Sequence, residues 1–290
     1  MKFALSTNWC NRRLASGEEI ADAASALGFD ALELGFHTTL EQVKGFKARL
    51  DSMPIGSIHA FCPVPISAPQ GYPELYQLAS FDEAARAIAR VHVRKNVEFA
   101  AEMGADAVVL HAGRAMCRGF LRRWDMKRRV KRGRKLVDAF KRELEALLPH
   151  LEANKVTLGL ENLPYLEGFP AEWEVADVCG EWVRPWLDTG HDFVRIVNGW
   201  KAGLAGSSGR SSAEAPEPLG LHINDSLGGD DHLPPGEGKV DFAALKPVAE
   251  KARHLVFEPH SEVDAASLAA GLAHIRACWE GSGPASGENI

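Results

Sequence analysis

The residue pattern predicts an α/β fold, a single domain in which eight parallel strands alternate with helices and close into a (β/α)8 barrel. Three observations carry this. Short apolar runs of strand length recur with helical patterns between them. Every run from the third to the eighth ends in His, Asp or Glu. The chain has 290 residues, 46% hydrophobic and 25% charged, enough for one large core without a second domain.

Phe3–Ser6 reads as the first strand. Ser16 stands three residues before Glu19, the spacing of a capping box, and opens a helix with Ile20, Ala24 and Leu27 on its apolar face; Gly28 ends it. Ala31–Gly35 is the second strand. A second helix is expected from Thr39 to Leu50, with Leu40, Val43, Phe46 and Leu50 on one face. Ile55–His59 is the third strand. The Pro-rich stretch from Cys62 to Ser80 is too long for a plain connection and reads as a lid or substrate loop. Phe81–Met103 is helical and stops at Gly104, and Ala107–His111 is the fourth strand.

The densely basic run from Arg114 to Lys135 follows, its second half opening a helix that reaches about Ala153. Val156–Glu161 is the fifth strand, and Ala171–Cys179 a short helix. Val183–Leu187, interrupted in pattern by Pro185, is the sixth strand; it ends in Asp188, with His191 in the adjoining loop. Gly203–Pro218 is rich in Gly, Ser, Ala and Pro and reads as a mobile connection. Leu219–Ile223 is the seventh strand and carries His222. Phe242–Ala252 is a helix, His254–Glu258 the eighth strand, and Ala265–Trp279 the closing helix. The domain is expected to span residues 1–280, with 281–290 a disordered tail.

Composition excludes several classes. A net charge of -6 offers no general attraction to nucleic acid or to an anionic membrane surface. No apolar run approaches the ~20 residues of a spanning helix. Five scattered cysteines without a C-x-x-C pattern fit free thiols in a reducing setting, and Met1-Lys2 runs directly into a strand, so a cytoplasmic location is expected.

Closing the barrel brings His59, His111, Glu161, Asp188, His222 and Glu258 to one mouth, at the strands' C-terminal ends where such barrels build their chemistry. His191, Asp230 and His232 lie in the adjoining loops. His, Asp and Glu without Cys suit a divalent ion such as zinc or manganese. Three carboxylates buried together are costly unless a cation compensates them. Asp231 rivals Asp230, and only the Asp-x-His spacing favours the latter. His260 points to the other side if its strand continues. His37, His92, His150, His254 and His274 fall on helices or strand starts and read as structural. Cys62 and Cys117 have no base beside them and are not proposed as nucleophiles.

Leu160-Glu161-Asn162, Leu187-Asp188-Thr189-Gly190-His191, Leu221-His222-Ile223-Asn224-Asp225-Ser226, His232-Leu233-Pro234-Pro235-Gly236-Glu237-Gly238 and Phe257-Glu258 occur in this order, each at a strand end. In these the chain resembles the xylose isomerase-like TIM barrel superfamily, which includes sugar isomerases and epimerases, inosose dehydratases and endonuclease IV-type AP endonucleases. The resemblance extends to about Trp279.

Two chemistries follow from it. By similarity to the sugar enzymes, Glu161, Asp188, His222 and Glu258 would bind one ion, manganese or zinc. Glu161 and Glu258 would move a carbon-bound proton, and His191 would hold a substrate hydroxyl. Arg114, close after His111, is expected from its position to reach a phosphate of a sugar phosphate. One departure is visible: ketose 3-epimerases place an arginine soon after the strand-seven histidine, where this chain has Gly228, Gly229 and no Arg before Lys239. By similarity to endonuclease IV, His59, His111, His191, Asp230 and His232 would join the other four in a site of two or three zinc ions cleaving a phosphodiester. Net acidity, and Leu163-Pro164-Tyr165 in place of that group's Thr-Ala-Gly, weigh against a nucleic-acid substrate. The basic run bears on this choice. Its start, to Arg123, would overhang the mouth and suit a phosphate, whereas Lys127 to Lys135 reads as a solvated helix face. A third reading, a non-catalytic sugar-binding or assembly barrel, gives no reason to retain three buried acids. The expected partner is a small sugar or sugar phosphate, with oligomeric state, a homo-oligomer included, left open.

Overall fold

Alternation within the strands decides the architecture. Leu32 and Leu34, Val108 and Leu110, Leu158 and Leu160, Leu221 and Ile223, and Leu255 and Phe257 form one buried aliphatic set. The residues between them are Glu33, Val109, Gly159, His222 and Val256. Successive side chains on a strand point to opposite faces, so the aliphatic set meets a layer of helices and the other set meets the barrel interior.

The computed structural model describes residues 1–114, 126–164, 168–169, 180–198 and 217–281. Its strands are β1 (Ala4–Ser6), β2 (Ala31–Leu34), β3 (Ile55–His59), β4 (Ala107–Leu110), β5 (Gly113–Arg114), β6 (Thr157–Glu161), β7 (Gly168–Phe169), β8 (Val183–Asp188), β9 (Gly220–Ile223) and β10 (His254–Phe257). Its helices are α1 (Gly17–Ala26), α2 (Leu40–Lys47), α3 (Glu83–Glu102), α4 (Met126–Asn154), α5 (Thr189–Val197), α6 (Phe242–Ala249) and α7 (Ala265–Glu280). Eight strands close in the order β1-β10-β9-β8-β6-β4-β3-β2, every neighbouring pair parallel, while β5 and β7 form a separate antiparallel pair. The (β/α)8 expectation is met. Among the described residues no helix is long and apolar enough to cross a membrane.

Local signals act as read. Ser16 and Glu19 form a reciprocal capping box on α1, and Gly28 leaves that helix at φ +88, a left-handed conformation that favours glycine. Two readings need correction. Leu40 is exposed: it occupies the first position of α2, and the buried face is made by Val43, Phe46 and Gln42, whose amide donates to the carbonyls of Asn11 and Leu14. His191 lies not in a loop but in the first turn of α5, which Asp188 caps through the His191 N–H at 2.7 Å. The stretch 62–80 is anchored at both ends. Asn96 brackets both backbone groups of Cys62, Ala79 N–H donates to Ala112 O, and Leu78 is buried. The basic run through 125, the helix expected over 171–179, the connection over 203–216 and the tail beyond 281 lie outside the described residues, as do Cys117, Cys179 and the Arg114 side chain.

The N-terminal half of the barrel interior is filled by Ala4, Ala107, Val109, Trp186, Leu219 and Val256. Trp186 is fully buried there and fits because its neighbours on β6 and β9 are Gly159 and Gly220. A Cβ on Gly220 would stand 2.6 Å from the indole ring and 2.9 Å from the His254 Cβ. Gly220→Ala should therefore cost about 3 kcal/mol, the upper end of overpacking penalties. Urea unfolding should show a lower midpoint at unchanged m-value.

Candidate metal centre

One layer above Trp186, the inward positions become ionisable. Glu33, His59, Glu161, Asp188 and His222 lie on β2, β3, β6, β8 and β9, with Glu258 immediately after β10 and His111 immediately after β4. All are buried. They converge because each shares the parity of the interior-facing residues on its own strand.

Three groupings emerge. In the first, His59 Nε2 and His111 Nε2 lie 3.2 and 3.0 Å from Glu161 Oε2. In the second, His222 Nδ1 faces Glu258 Oε2 at 3.1 Å, Glu161 Oε1 at 3.3 Å and Asp188 Oδ2 at 3.9 Å. In the third, His191 Nε2 and His232 Nε2 both lie 3.2 Å from Asp230 Oδ1, while their Nδ1 atoms donate to the Asn162 and Glu258 carbonyls. Ligand atoms of His59, His111 and Glu161, of Glu161, Asp188, His222 and Glu258, and of Asp188, His191 and His232 fall within 4.8 Å of one another in each set.

The donor set fits a cation. His222 Nδ1 and Glu161 Oε1 are buried without a hydrogen bond, although they face each other. With Nε2 committed to Glu33, a neutral His222 presents a bare lone pair to three carboxylates, an arrangement that only positive charge makes favourable. Among the described residues no lysine or arginine pairs with Glu33, Glu161, Asp188 or Glu258.

A family model described as xylose isomerase-like TIM barrel matches residues 21–278. The chain belongs to this family. Solved structures share the fold of this xylose isomerase-like barrel. The 3-keto-D-glucoside 4-epimerase YcjR from E. coli is 18% identical with a TM-score of 0.67, over 96% of this chain and 100% of that one. A D-psicose 3-epimerase is 16% identical with a TM-score of 0.66, over 97% and 100%. The TTHB071 protein from Thermus thermophilus, soaked with ZnCl2, is 23% identical with a TM-score of 0.63, over 98% and 100%. No curated protein matches the sequence.

Electrostatics in this xylose isomerase-like barrel mirror the geometry. Burial alone would raise the Glu161 carboxyl, but the rings of His111 and His222 hold it well below the usual range. Burial would lower His222; Glu258, Glu161 and Glu33 instead raise it well above the ordinary value. The same competition, won by Asp188 and the Asp230 contact, takes His191 to about 9, and won chiefly by Asp230 takes His232 to about 10. These histidines thus hold a proton more tightly than a free imidazole, at the places a cation would take.

Every predicted ligand side chain reaches the mouth. Asp230, not Asp231, faces the two histidines; Asp231 instead accepts from Ser226 Oγ and the N–H groups of Leu227 and Gly229 within its own loop. Sequence reading missed Glu33 and the residues that hold the ligands. Asn162 and Asn224 fix Asp188: Asp188 N–H donates to Asn162 Oδ1 at 2.6 Å, and Asn224 Nδ2 donates to Asp188 Oδ2 at 2.6 Å. Asp225 accepts from the N–H groups of Ser226, Val240 and Gly236 and pairs with Leu233, shaping the loop that presents Asp230 and His232. The signal for Glu33 was a lone charge at an inward position of an otherwise apolar strand.

Proposed function

We propose that the protein is a metal-dependent sugar or sugar-phosphate isomerase or epimerase working by proton transfer. The observation that carries this is the second grouping, in which two glutamates from separate strands, Glu161 and Glu258, flank one point also faced by Asp188 and His222. A divalent ion, manganese or zinc, held there by these four residues would polarise a sugar carbonyl and its neighbouring hydroxyl. Glu161 removes the proton from the carbon beside the carbonyl, and Glu258 returns one from the other side. His191, buried against Asp188 and Asp230, orients a substrate hydroxyl; Arg114 serves a phosphate where the substrate carries one. The named epimerases with this fold support the same chemistry. Incubation with ketoses, aldoses and their phosphates in D2O should place deuterium on carbon in at least one of them; none across that panel would overturn the proposal.

A second reading, a phosphodiesterase with two or three zinc ions, is favoured by the first and third groupings, which one ion does not need. It expects His59→Ala and His111→Ala each to strip metal and activity together, with hydrolysis of a bis(4-nitrophenyl) phosphate ester as the assay. Under it, loading the third grouping must displace the protons on His191 and His232. Affinity should then rise with pH up to about 9–10 and level off above, with proton release visible by calorimetry in buffers of different ionisation enthalpy. Zinc affinity flat across pH 7–9 would remove the third grouping as an ion site.

A further inference from the structure

Glu33 has no place in either ligand set, yet it is fully enclosed by the barrel. It sits on β2 between Leu32 and Leu34, fully buried. Its Oε2 accepts from Ser57 Oγ at 2.8 Å, and its two oxygens lie 3.2 and 3.3 Å from His222 Nε2. Ser57 is its register partner on β3, so the pair is fixed by backbone pairing.

Other neighbours of His222 fix its plane but not its chemistry. The His59 ring stacks on it at 5.6 Å with an interplanar angle of 9°, and Trp186 meets it edge-on at 5.2 Å. Stacking restrains tilt and leaves two choices open: which nitrogen carries the proton, and which faces the three acids. Only an in-plane partner decides between them. Glu33 is such a partner, and an ionised carboxylate can only accept. Keeping it buried is costly unless positive charge lies across the ring.

We propose that Glu33 is the positioning residue of the metal centre: by accepting the His222 Nε2 proton it commits Nδ1 as ligand atom and strengthens it as a donor. The inference rests on the metal-centre reading above. Partners of this kind on ligating histidines typically control metal affinity by 10–100-fold.

The test is metal affinity, not activity. Zinc and manganese are titrated into wild type, Glu33→Gln and Glu33→Ala in competition with a chromophoric chelator, with circular dichroism as a check on folding. Gln keeps an acceptor but loses the charge, so affinity should fall about 10-fold in Glu33→Gln and about 100-fold in Glu33→Ala. Ala binding within about twofold of wild type would overturn the inference. Should Glu33→Ala not fold, Glu33→Gln and the wild type decide it. Histidine 15N spectra of the zinc-loaded wild type should show His222 protonated on Nε2 and ligated through Nδ1; the reverse pattern overturns it. A wild type that takes up neither ion would instead sink the metal-centre reading itself.

Discussion

Glu161→Gln is expected to slow exchange of the substrate's carbon-bound proton with solvent by about 10²–10⁴-fold, the usual worth of a general base. The amide keeps the size and one acceptor oxygen but cannot take a proton. Packing should survive, because Glu161 lies in the polar layer and not among the aliphatic side chains under the helices. Glu161 also faces His222, His59 and His111, so metal content must be measured on the same sample. Exchange lost with the metal retained identifies the base. Exchange preserved at the wild-type rate would rule out Glu161 in that role and move the search to Glu258.

The second large effect is on stability. Glu33, Glu161, Asp188 and Glu258 are buried around one histidine, with no lysine or arginine paired to them among the described residues. Repulsion among them opposes folding until positive charge is supplied. An ion present at 1,000 times its Kd adds about 4 kcal/mol. A chain of this size shifts by roughly 2–4 °C per kcal/mol, so stripping the ion with a chelator should lower Tm by about 10 °C. Glu258→Gln should blunt the gain in Tm on adding metal, because it removes one of the four groups around the ion. A Tm indifferent to both chelator and substitution would be incompatible with the proposed centre.

The strands and their terminal ligands were legible because two simple regularities coincide in them. A short apolar run marks the strand, and a polar residue at or near its end marks where the aliphatic layer stops; His59, Glu161, His222 and Glu258 fit both. Asp230 was separable from Asp231 only through its spacing to His232. Glu33 escaped because it ends no strand and belongs to no motif, and its meaning lies in a partner 189 residues away. Helix α5 escaped because Asp188-Thr189-Gly190-His191 carries turn-forming residues, while the capping hydrogen bond that starts the helix depends on where Asn162 and Asn224 hold Asp188. Leu40 was misplaced because periodicity does not distinguish a first-turn position, which overhangs the core, from one a turn later.

Asp225 has a consequence for how such barrels diversify. The first two groupings are written into the strands, and changing them means changing the framework. The third takes His191 from α5 and Asp230 and His232 from a segment folded back on Asp225 and Asp231 and tied to the end of β10 through His232. That segment lies between β9 and α6, outside the barrel's strands. The pairing of the eight barrel strands does not run through it. On the proposed function, the number of ions held, and with it the choice between moving a proton and breaking an ester, would then depend on this segment and not on the barrel strands.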